Sequence, residues 1–531
     1  MNVLVGGAWR PANAVGSFQA SDPSTGRLLP ERFPVSAWDD ALEALAAGRK
    51  AAFELAAASP DVLADFLDLF ARRVVERAED LVALAHRETS LPVEPRLRLN
   101  ELPRTAHQAH QAAAAARDRT WCRATIDSRL NIRSKHGPLG GPVVVFGPSN
   151  FPLAFNPVGG GDAVTAIAAG NPVVAKGHPG HPATTRLFAQ IALDCLAETG
   201  LPRATVQLLH DLRPEDGLRL VAHPWVGATA FTGGRPAGLK LKEAADRAGK
   251  PIFLEMSSVN PVFVLPGAMS ERGDSIAAEL FASCSLGAGQ FCTKPGLVVV
   301  LEDDAGRAFV ETARALFANP PAGYLLGPGQ ADSLGAAVAE MAGRKAEILA
   351  GGSEIEGAGY RFANTLLAVS VPDFLRAPEV FGREAFGTTA VLVLASKAGE
   401  MTAVAEVLGG NLAASIYSRA GGEDEALYRM IEPLLRRSVG RLLNDKMPTG
   451  LAVVPAMVHG GPFPATGHPG FTSVGIPASI LRFTALHGYD NVRPGRLPEA
   501  LRDKNPTGRM WRFIDCCWTQ GDVRPEGPFP A

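Results

Sequence analysis

The residue around which the chain can be read is Cys292, in the run Gly-Ala-Gly-Gln-Phe-Cys-Thr-Lys-Pro-Gly from Gly287 to Gly296. A thiol on a glycine-flanked loop is reachable, and its thiolate is a nucleophile for carbonyl carbon. Gly287 and Gly289 are expected to let backbone approach a substrate, Pro295 and Gly296 end the segment, and the apolar run Leu297 to Leu301 reads as a buried strand. A lone cysteine is more often an inert core residue, so the loop alone leaves both readings open. Glu255 ends the run Ile252-Phe253-Leu254-Glu255; a glutamate there is either an acid–base group or a salt-bridge residue. His459 lies in a Gly- and Pro-rich stretch, where it either assists proton transfer, binds a substrate carboxylate or satisfies backbone. His107 and His110 are one helical turn apart, but no carboxylate or thiol ligand is evident beside them, so they read as surface residues and no metal site is expected.

The elements that must position these groups follow from periodicity. Ser36 is a candidate N-cap for a helix with Leu42, Leu45 and Phe53 on one side, and Ser59-Pro60 opens a second helix carrying Leu63, Phe66, Leu67, Phe70 and Val74. Glu101 to Arg117 reads as a third. From Gly140 the pattern becomes strand, loop, helix, strand: Val143 to Phe146, Gly147 to Pro152, a small-residue helix from Gly159 to Ala169, then Pro172 to Lys176. It continues through a helix near Thr184 to Glu198 and strands at Val206 to Leu209, Ala228 to Phe231 and Ile252 to Glu255. A parallel sheet puts ligand-binding loops at the carboxyl ends of its strands, where Asn150, Lys176, Thr232 and Glu255 fall. Thr232-Gly233-Gly234 is a strand-to-helix turn whose amides can hold a pyrophosphate, although it does not match GxGxxG. Gly159-Gly160-Gly161 reads as close helix packing. A second α/β block holds Cys292, a helix from Ala305 to Phe317, the run Pro378 to Gly382 and the strand Thr389 to Ala395.

The chain has 531 residues, 46% hydrophobic content and a formal net charge of −2, without a basic block. That length implies two or three domains, and the charge argues against nucleic acid or an anionic membrane as partner. Neither a signal peptide nor an apolar run approaching the ~20 residues of a membrane span is visible, so a cytoplasmic protein with a small-molecule ligand is expected. The six cysteines lack zinc-type pairs and fit a reducing compartment without disulfides. Cys284 reads as buried filler, and Cys516 and Cys517 have no reading beyond packing.

Six motifs occur in one order: Pro-Ser-Asn-Phe-Pro around Asn150, the strand ending at Lys176, Phe-Thr-Gly-Gly at 231 to 234, Leu-Glu-Met-Ser-Ser-Val-Asn-Pro around Glu255, Gly-Gln-Phe-Cys ending at Cys292, and Glu-Val-Phe-Gly from Glu379. Together they resemble the NAD(P)-dependent aldehyde dehydrogenase superfamily over nearly the whole chain. Met457 to Thr466 and Phe471 to Gly475 resemble the branch of bacterial 2,5-dioxopentanoate (α-ketoglutaric semialdehyde) dehydrogenases and NADP-preferring fatty aldehyde dehydrogenases. The resemblance implies an α/β fold of two Rossmann-like parallel-sheet domains, cofactor and catalytic, plus a small oligomerisation element. It implies a cofactor domain over 1–255, interrupted by a bridging segment near 121–135, a catalytic domain over 256–435, and a return with active-site loops and tail over 436–531.

It further implies residue roles. Cys292 attacks the aldehyde, Asn150 and the Cys292 N–H hold the oxyanion, and Glu255 activates the water that hydrolyses the thioester, giving a free acid. Lys176 holds the adenosine ribose, Glu379 the nicotinamide ribose, and Phe381 packs beside it, with Thr232, Gly233 and Gly234 at the pyrophosphate. Pro179 stands where many NAD-preferring members carry a glutamate, and His178 and Arg213 are nearby phosphate candidates or surface residues, so NADP is expected to be preferred over NAD. Gly234, Met256-Ser257-Ser258 and Arg383 depart from the common pattern without removing a reacting group. The expected substrate is 2,5-dioxopentanoate, with fatty aldehydes as the alternative; Phe155, Phe291, Phe463 and Phe471 are candidate pocket walls for either. A catalytically silent binding protein of the same fold is the reading from a different class, and a homodimer or homotetramer is the expected assembly.

Overall fold

A computed structural model describes residues 1–524; the last seven positions of the expected 436–531 tail lie outside them. The apolar runs read from the sequence become strands because both faces of each are covered, and Val143, Val144, Val173, Val174 and Leu208 are each 0% exposed. The first sheet has the order Ile252–Glu255, Ala228–Thr232, Val143–Phe146, Val173–Lys176, Val206–Leu209, Asn2–Val5, Ala8–Pro11. Its first five strands are parallel, with Val145 opposite both Ala175 and Ala230, and the amino-terminal hairpin adds an antiparallel edge. The chain moves from Val143–Phe146 outward to Val206–Leu209, then returns to the other side at Ala228–Thr232. That reversal opens a crevice at the carboxyl ends of Val143–Phe146 and Ala228–Thr232.

The second sheet has the order Glu347–Ala350, Thr365–Ser370, Thr389–Ala395, Leu297–Leu301, Val262–Val264, Asn411–Tyr417, Val439–Asn444, all parallel except the first. Glu255 ends a strand of the first sheet and Val262 begins a strand of the second, so carboxyl ends of one face amino ends of the other. Cys292 precedes Leu297 and therefore enters this junction from the amino edge, whereas Glu255 enters from the carboxyl edge. A third, five-stranded sheet joins Thr125–Asp127 and Ile132–Gly137 to Ala485–Asp490, Arg512–Ile514 and Cys517–Thr519.

The helices explain themselves locally. Ser59 Oγ accepts from Asp61 N at 3.2 Å, and the helix Pro60–Glu76 buries Leu63, Phe66, Leu67, Phe70 and Val74. Gly159 is required by packing, since a Cβ there would lie 2.6 Å from the Phe188 ring. The expected Ser36 cap is not formed: Ser36 ends the strand Phe33–Ser36, Ala37 is the N-cap of Trp38–Ala56, and Phe53 is 69% exposed. Of the expected side, Leu45 is buried, whereas Leu42 is half-buried and Phe53 is not covered; Ala41, Ala44 and Leu55 complete the packed face, which is rotated from the one the large side chains marked. Cys284 is buried filler, its thiol donating to Pro295 O, whereas Cys516 and Cys517 are exposed rather than packed. All six cysteines are free, and no helix among the described residues is long and apolar enough to cross a membrane.

Candidate active site

Three consecutive left-handed residues, Gly287 (φ 56°), Ala288 (φ 55°) and Gly289 (φ 73°), turn the chain from the helix Pro266–Ser285 toward Cys292. A Cβ on Gly289 would lie 2.1 Å from Gly387 C, so this glycine admits neighbouring backbone rather than the substrate expected there. Asn260, itself left-handed, donates from Nδ2 to Cys292 O at 2.8 Å and Lys294 O at 2.9 Å, while its Oδ1 accepts from Ala413 N at 3.2 Å. One amide thus ties the cysteine loop to the strand Asn411–Tyr417 of the second sheet. Gln290 holds the other side through Gly287 O, Tyr324 O and Leu326 N.

Cys292, His459 and Glu255 meet here, their reacting atoms all within 4.8 Å of one another. Cys292 Sγ is 3.5 Å from His459 Nε2, which is 2.7 Å from Glu255 Oε1; Ser473 Oγ donates to Glu255 Oε2 at 3.0 Å. His459 therefore does not satisfy backbone with its ring. The tautomer carrying a proton on Nε2 is the one that satisfies Glu255. Burial pushes the Glu255 carboxyl up, but His459, Ser473 and the Cys292 thiol together hold it below its ordinary value. Burial, then the charge and hydrogen bond of Glu255, push the Cys292 thiol well above its ordinary value. The arrangement is a resting thiol that donates to a ready carboxylate. These three donors are also spaced as metal ligands are, and an ion there would occupy the lone pairs the acid–base pairing uses.

Asn150, 6% exposed, spends one Nδ2 proton on Gln290 O at 2.9 Å, which leaves the second for an oxyanion. Its loop is pinned by Glu101, whose Oε1 accepts from Leu153 N and Ala154 N at 2.8 and 3.0 Å, and by Arg96, which binds Glu101 Oε2 at 2.5 Å and Asn150 O at 2.8 Å. The apolar wall beside the thiol comprises Phe151 and Phe155, edge-on at 5.3 Å, with Phe291 5.2 Å from Phe151. Phe463 is 60% exposed and Phe471 packs on Phe253 at 5.1 Å, behind Glu255, so neither joins Phe155 and Phe291.

A cleft of about 700 Å³ joins Cys292, Glu255 and Asn150 to Lys176, His178 and Glu379. Thr232, Gly233 and Gly234 line it where the helix Arg235–Arg247 begins; Gly234 is the N-cap, with no side-chain cap and only Pro236 Cδ, at 4.0 Å, near its Cβ position. Lys176 Nζ pairs with Asp211 at 2.7 Å. A cation, an open helix start and an exposed carboxylate in one cleft fit a dinucleotide: ribose hydroxyls at Lys176 and Glu379, pyrophosphate at Gly233 and Gly234. Three expectations meet different surroundings. Phe381 is 0% exposed and packs on Phe374 at 5.6 Å, so Phe386, not Phe381, reaches the cleft. Arg213 is outside the cleft lining and its Nε is engaged by Asp216 at 3.0 Å. His178 lines the cleft, but burial, then His181 and Lys176, hold its pKa well below the ordinary value, so it offers an N–H and not a charge.

The model of the aldehyde dehydrogenase family matches residues 9–433. The chain belongs to that family. It is 38% identical over 513 residues to alpha-ketoglutaric semialdehyde dehydrogenase 2 of Azospirillum brasilense, covering 94% of this chain and 96% of that one. It is 35% identical over 477 residues to alpha-ketoglutaric semialdehyde dehydrogenase of Acinetobacter baylyi, covering 86% and 87%. Aldehyde dehydrogenase C of Pseudomonas syringae, solved with NAD+ and octanal, shares the fold with a TM-score of 0.78 at 20% identity, covering 94% of this chain and 98% of that one. Lactaldehyde dehydrogenase of Escherichia coli does so with 0.77 at 21%, covering 92% and 98%. This aldehyde dehydrogenase is thus an NAD(P)-dependent oxidoreductase. What the sequence reading missed in it are the positioning groups Asn260, Ser473, Arg96 and Glu101. Asn260 and Ser473 carried a local signal, within Val-Asn-Pro after Glu255 and within Phe471 to Gly475, whereas Arg96 and Glu101 carried none.

Proposed function

We propose that this enzyme oxidises 2,5-dioxopentanoate to 2-oxoglutarate through a thioester on Cys292. The observation that carries the chemistry is the contact chain from Cys292 Sγ to His459 Nε2 at 3.5 Å and on to Glu255 Oε1 at 2.7 Å, at the wall of the cofactor cleft. The semialdehyde substrate is supported by the two relatives named for it, which align with most of the chain.

Each group has a step. Glu255 takes the thiol proton, and Sγ adds to the aldehyde carbon to give a thiohemiacetal. The free Asn150 N–H faces the oxyanion; losing such a donor typically lowers turnover ~100- to 1,000-fold. NAD(P)+ in the cleft supplies the hydride acceptor. Once the thiol proton has passed to solvent, Glu255, with His459 and Ser473 favouring its ionised form, takes a proton from the water that attacks the thioester; the C–S bond breaks, the acid leaves, and the proton on Glu255 returns to the thiolate.

NADP+ is proposed as the preferred cofactor because Pro179 beside Lys176 provides no carboxylate to repel a ribose phosphate and His178 offers an N–H in the lining. A dimer or tetramer in the cytoplasm is proposed, using the five-stranded sheet, where Leu130, Leu486 and Trp518 are 67%, 67% and 57% exposed. The domain division at Glu255 and near residue 435 is retained as a proposal: the first seven-stranded sheet lies within 1–255, and six strands of the second lie within 256–435, its edge strand Val439–Asn444 coming from the segment that follows. The test is reduced-cofactor absorbance with NAD+ and NADP+ against 2,5-dioxopentanoate and a long-chain aldehyde. A second reading, fatty aldehyde oxidation, is favoured by the apolar cluster of Phe151, Ala154, Phe155 and Val474, and higher kcat/KM for the long chain would select it.

A further inference from the structure

The apolar wall of the site has a cation behind it. Arg104, in the helix Leu102–Asp118, places its guanidinium 4.9 Å from the Phe155 ring centre and 5.4 Å from that of Phe151. Its Nε and Nη2 are buried and have no hydrogen-bond partner among the described residues. The neighbouring cations have acceptors at their terminal nitrogens, although Arg96 Nε is likewise buried without one among the described residues. Arg96 is bound by Glu101 and Asn150 O, and Arg441 donates to Gly450 O at 3.1 Å and Pro448 O at 2.6 Å. Glu101, the nearest acid to Arg104 in effect, already accepts from Arg96, Leu153 N and Ala154 N.

A guanidinium keeps its charge and offers five donors in a planar fork, and burying it without an acceptor is costly. Ring faces offset part of that cost but accept none of the N–H groups in their plane. The two rings that Arg104 covers are those that flank the nucleophile: Phe155 lies 6.1 Å from the His459 ring, and Phe151 lies 5.2 Å from Phe291, the residue before Cys292. Burial holds Arg104 below its ordinary pKa, while Glu101, Cys292 and Glu255 raise it. The guanidinium is thus within the field of the reacting groups, one aromatic ring away from them.

We propose that Arg104 is the carboxylate-binding residue of the substrate pocket, selecting aldehydes that carry an ionised carboxylate at the far end of a short chain. The inference rests on the function proposed above and deepens it. In 2,5-dioxopentanoate four C–C bonds of about 1.5 Å separate the aldehyde carbon from the carboxylate carbon, a length that reaches past one ring. The carboxylate accepts from the fork in the two-point manner an ammonium cannot reproduce. A fatty aldehyde in the same place leaves the fork unpaired, which is discrimination by an unsatisfied buried group.

The test compares wild type with Arg104→Leu, Arg104→Gln and Arg104→Lys, each checked for a native circular dichroism spectrum. The readouts are kcat/KM for 2,5-dioxopentanoate relative to pentanal, and inhibition of pentanal oxidation by glutarate. The expected result is a fall in the 2,5-dioxopentanoate to pentanal ratio of about 100-fold in Leu and Gln, carried mainly by KM, with partial recovery in Lys. Glutarate should inhibit wild type competitively, and its Ki should rise by a similar factor in the same two variants. An unchanged ratio and Ki, or an equal loss for both aldehydes, overturns the assignment while leaving the proposed reaction standing if wild type favours 2,5-dioxopentanoate. If wild type favours pentanal yet glutarate inhibition still depends on Arg104, the anion subsite stands and the 2,5-dioxopentanoate reading falls.

Discussion

His459 Nε2 and Glu255 Oε1 lie 2.7 Å apart although 204 positions separate them in the chain. The carboxyl-terminal segment is laced onto the strand end that carries Glu255: Met256 N donates to Ala465 O at 2.8 Å, and Glu255 bridges Thr466. His459 is then fixed by its own backbone, which donates to Thr472 Oγ1 at 2.8 Å and accepts from Ser473 N at 2.8 Å. The carboxylate and the imidazole beside it are therefore brought together from the middle of the chain and from its carboxyl-terminal segment.

Removing that imidazole should move the pH profile. Burial raises the Glu255 carboxyl and His459 is the first of the groups that lower it, so His459→Ala leaves burial less opposed. Activity that requires the carboxylate is present above its pKa and is lost as pH falls through it. The acidic limb of kcat is accordingly expected to shift to higher pH in His459→Ala, with kcat reduced by about 10- to 100-fold at neutral pH. An acidic limb at the wild-type position would sink this role for His459.

Cys292→Ala is expected to lower aldehyde oxidation by at least ~1,000-fold while NADP+ affinity stays within a few fold, because the thiol bonds substrate and not cofactor. Steady-state turnover and fluorescence titration of the cofactor separate the two effects. Retained turnover would exclude the thiol as nucleophile.

Glu255→Gln should uncouple the two halves of the reaction. A burst of one reduced cofactor per active site, followed by slow turnover, is expected if the residue acts on the thioester; loss of the burst would place it before reduction. The same variant has an opposite effect on the resting thiol. After burial, the Glu255 charge is the main influence raising the Cys292 pKa, so iodoacetamide labelling of Cys292 in cofactor-free enzyme should begin at lower pH in Glu255→Gln than in wild type.

Glu101→Ala strips the partner from buried Arg96 and the acceptor from Leu153 N and Ala154 N. Breaking a buried pair from one side typically costs ~3–5 kcal/mol, because a charge is left uncompensated. The expected result is a lowered Tm together with a loss of activity, since the same network carries the Asn150 loop. An unchanged Tm would mean that Arg96 finds another acceptor.

Much of this was legible in the chain because it is local. The strand Thr389–Ala395 and the helix opened by Ser59-Pro60 follow from periodicity and capping, and the six ordered motifs around Asn150, Lys176, Thr232, Glu255, Cys292 and Glu379 sufficed for the family. Phe53 misled because side-chain size marks a face only when something packs on it, and the helix Trp38–Ala56 is covered on its small-residue side. Phe381 misled because Phe386, a few positions on, turns into the cleft while Phe381 completes the core.

By itself, then, the sequence determined the strands and helices, the reactive residue types and the order in which they arise, since propensity, patterning and motif spacing act over neighbouring positions. Which ring nitrogen faces Glu255, that Asn260 holds Cys292 O at 2.8 Å, and that Arg104 is left with unpaired donors behind Phe151 and Phe155 were decided only by tertiary structure. Those relationships join residues from distant parts of the chain, and their energies depend on burial and partner geometry, quantities that exist only once the sheets have met.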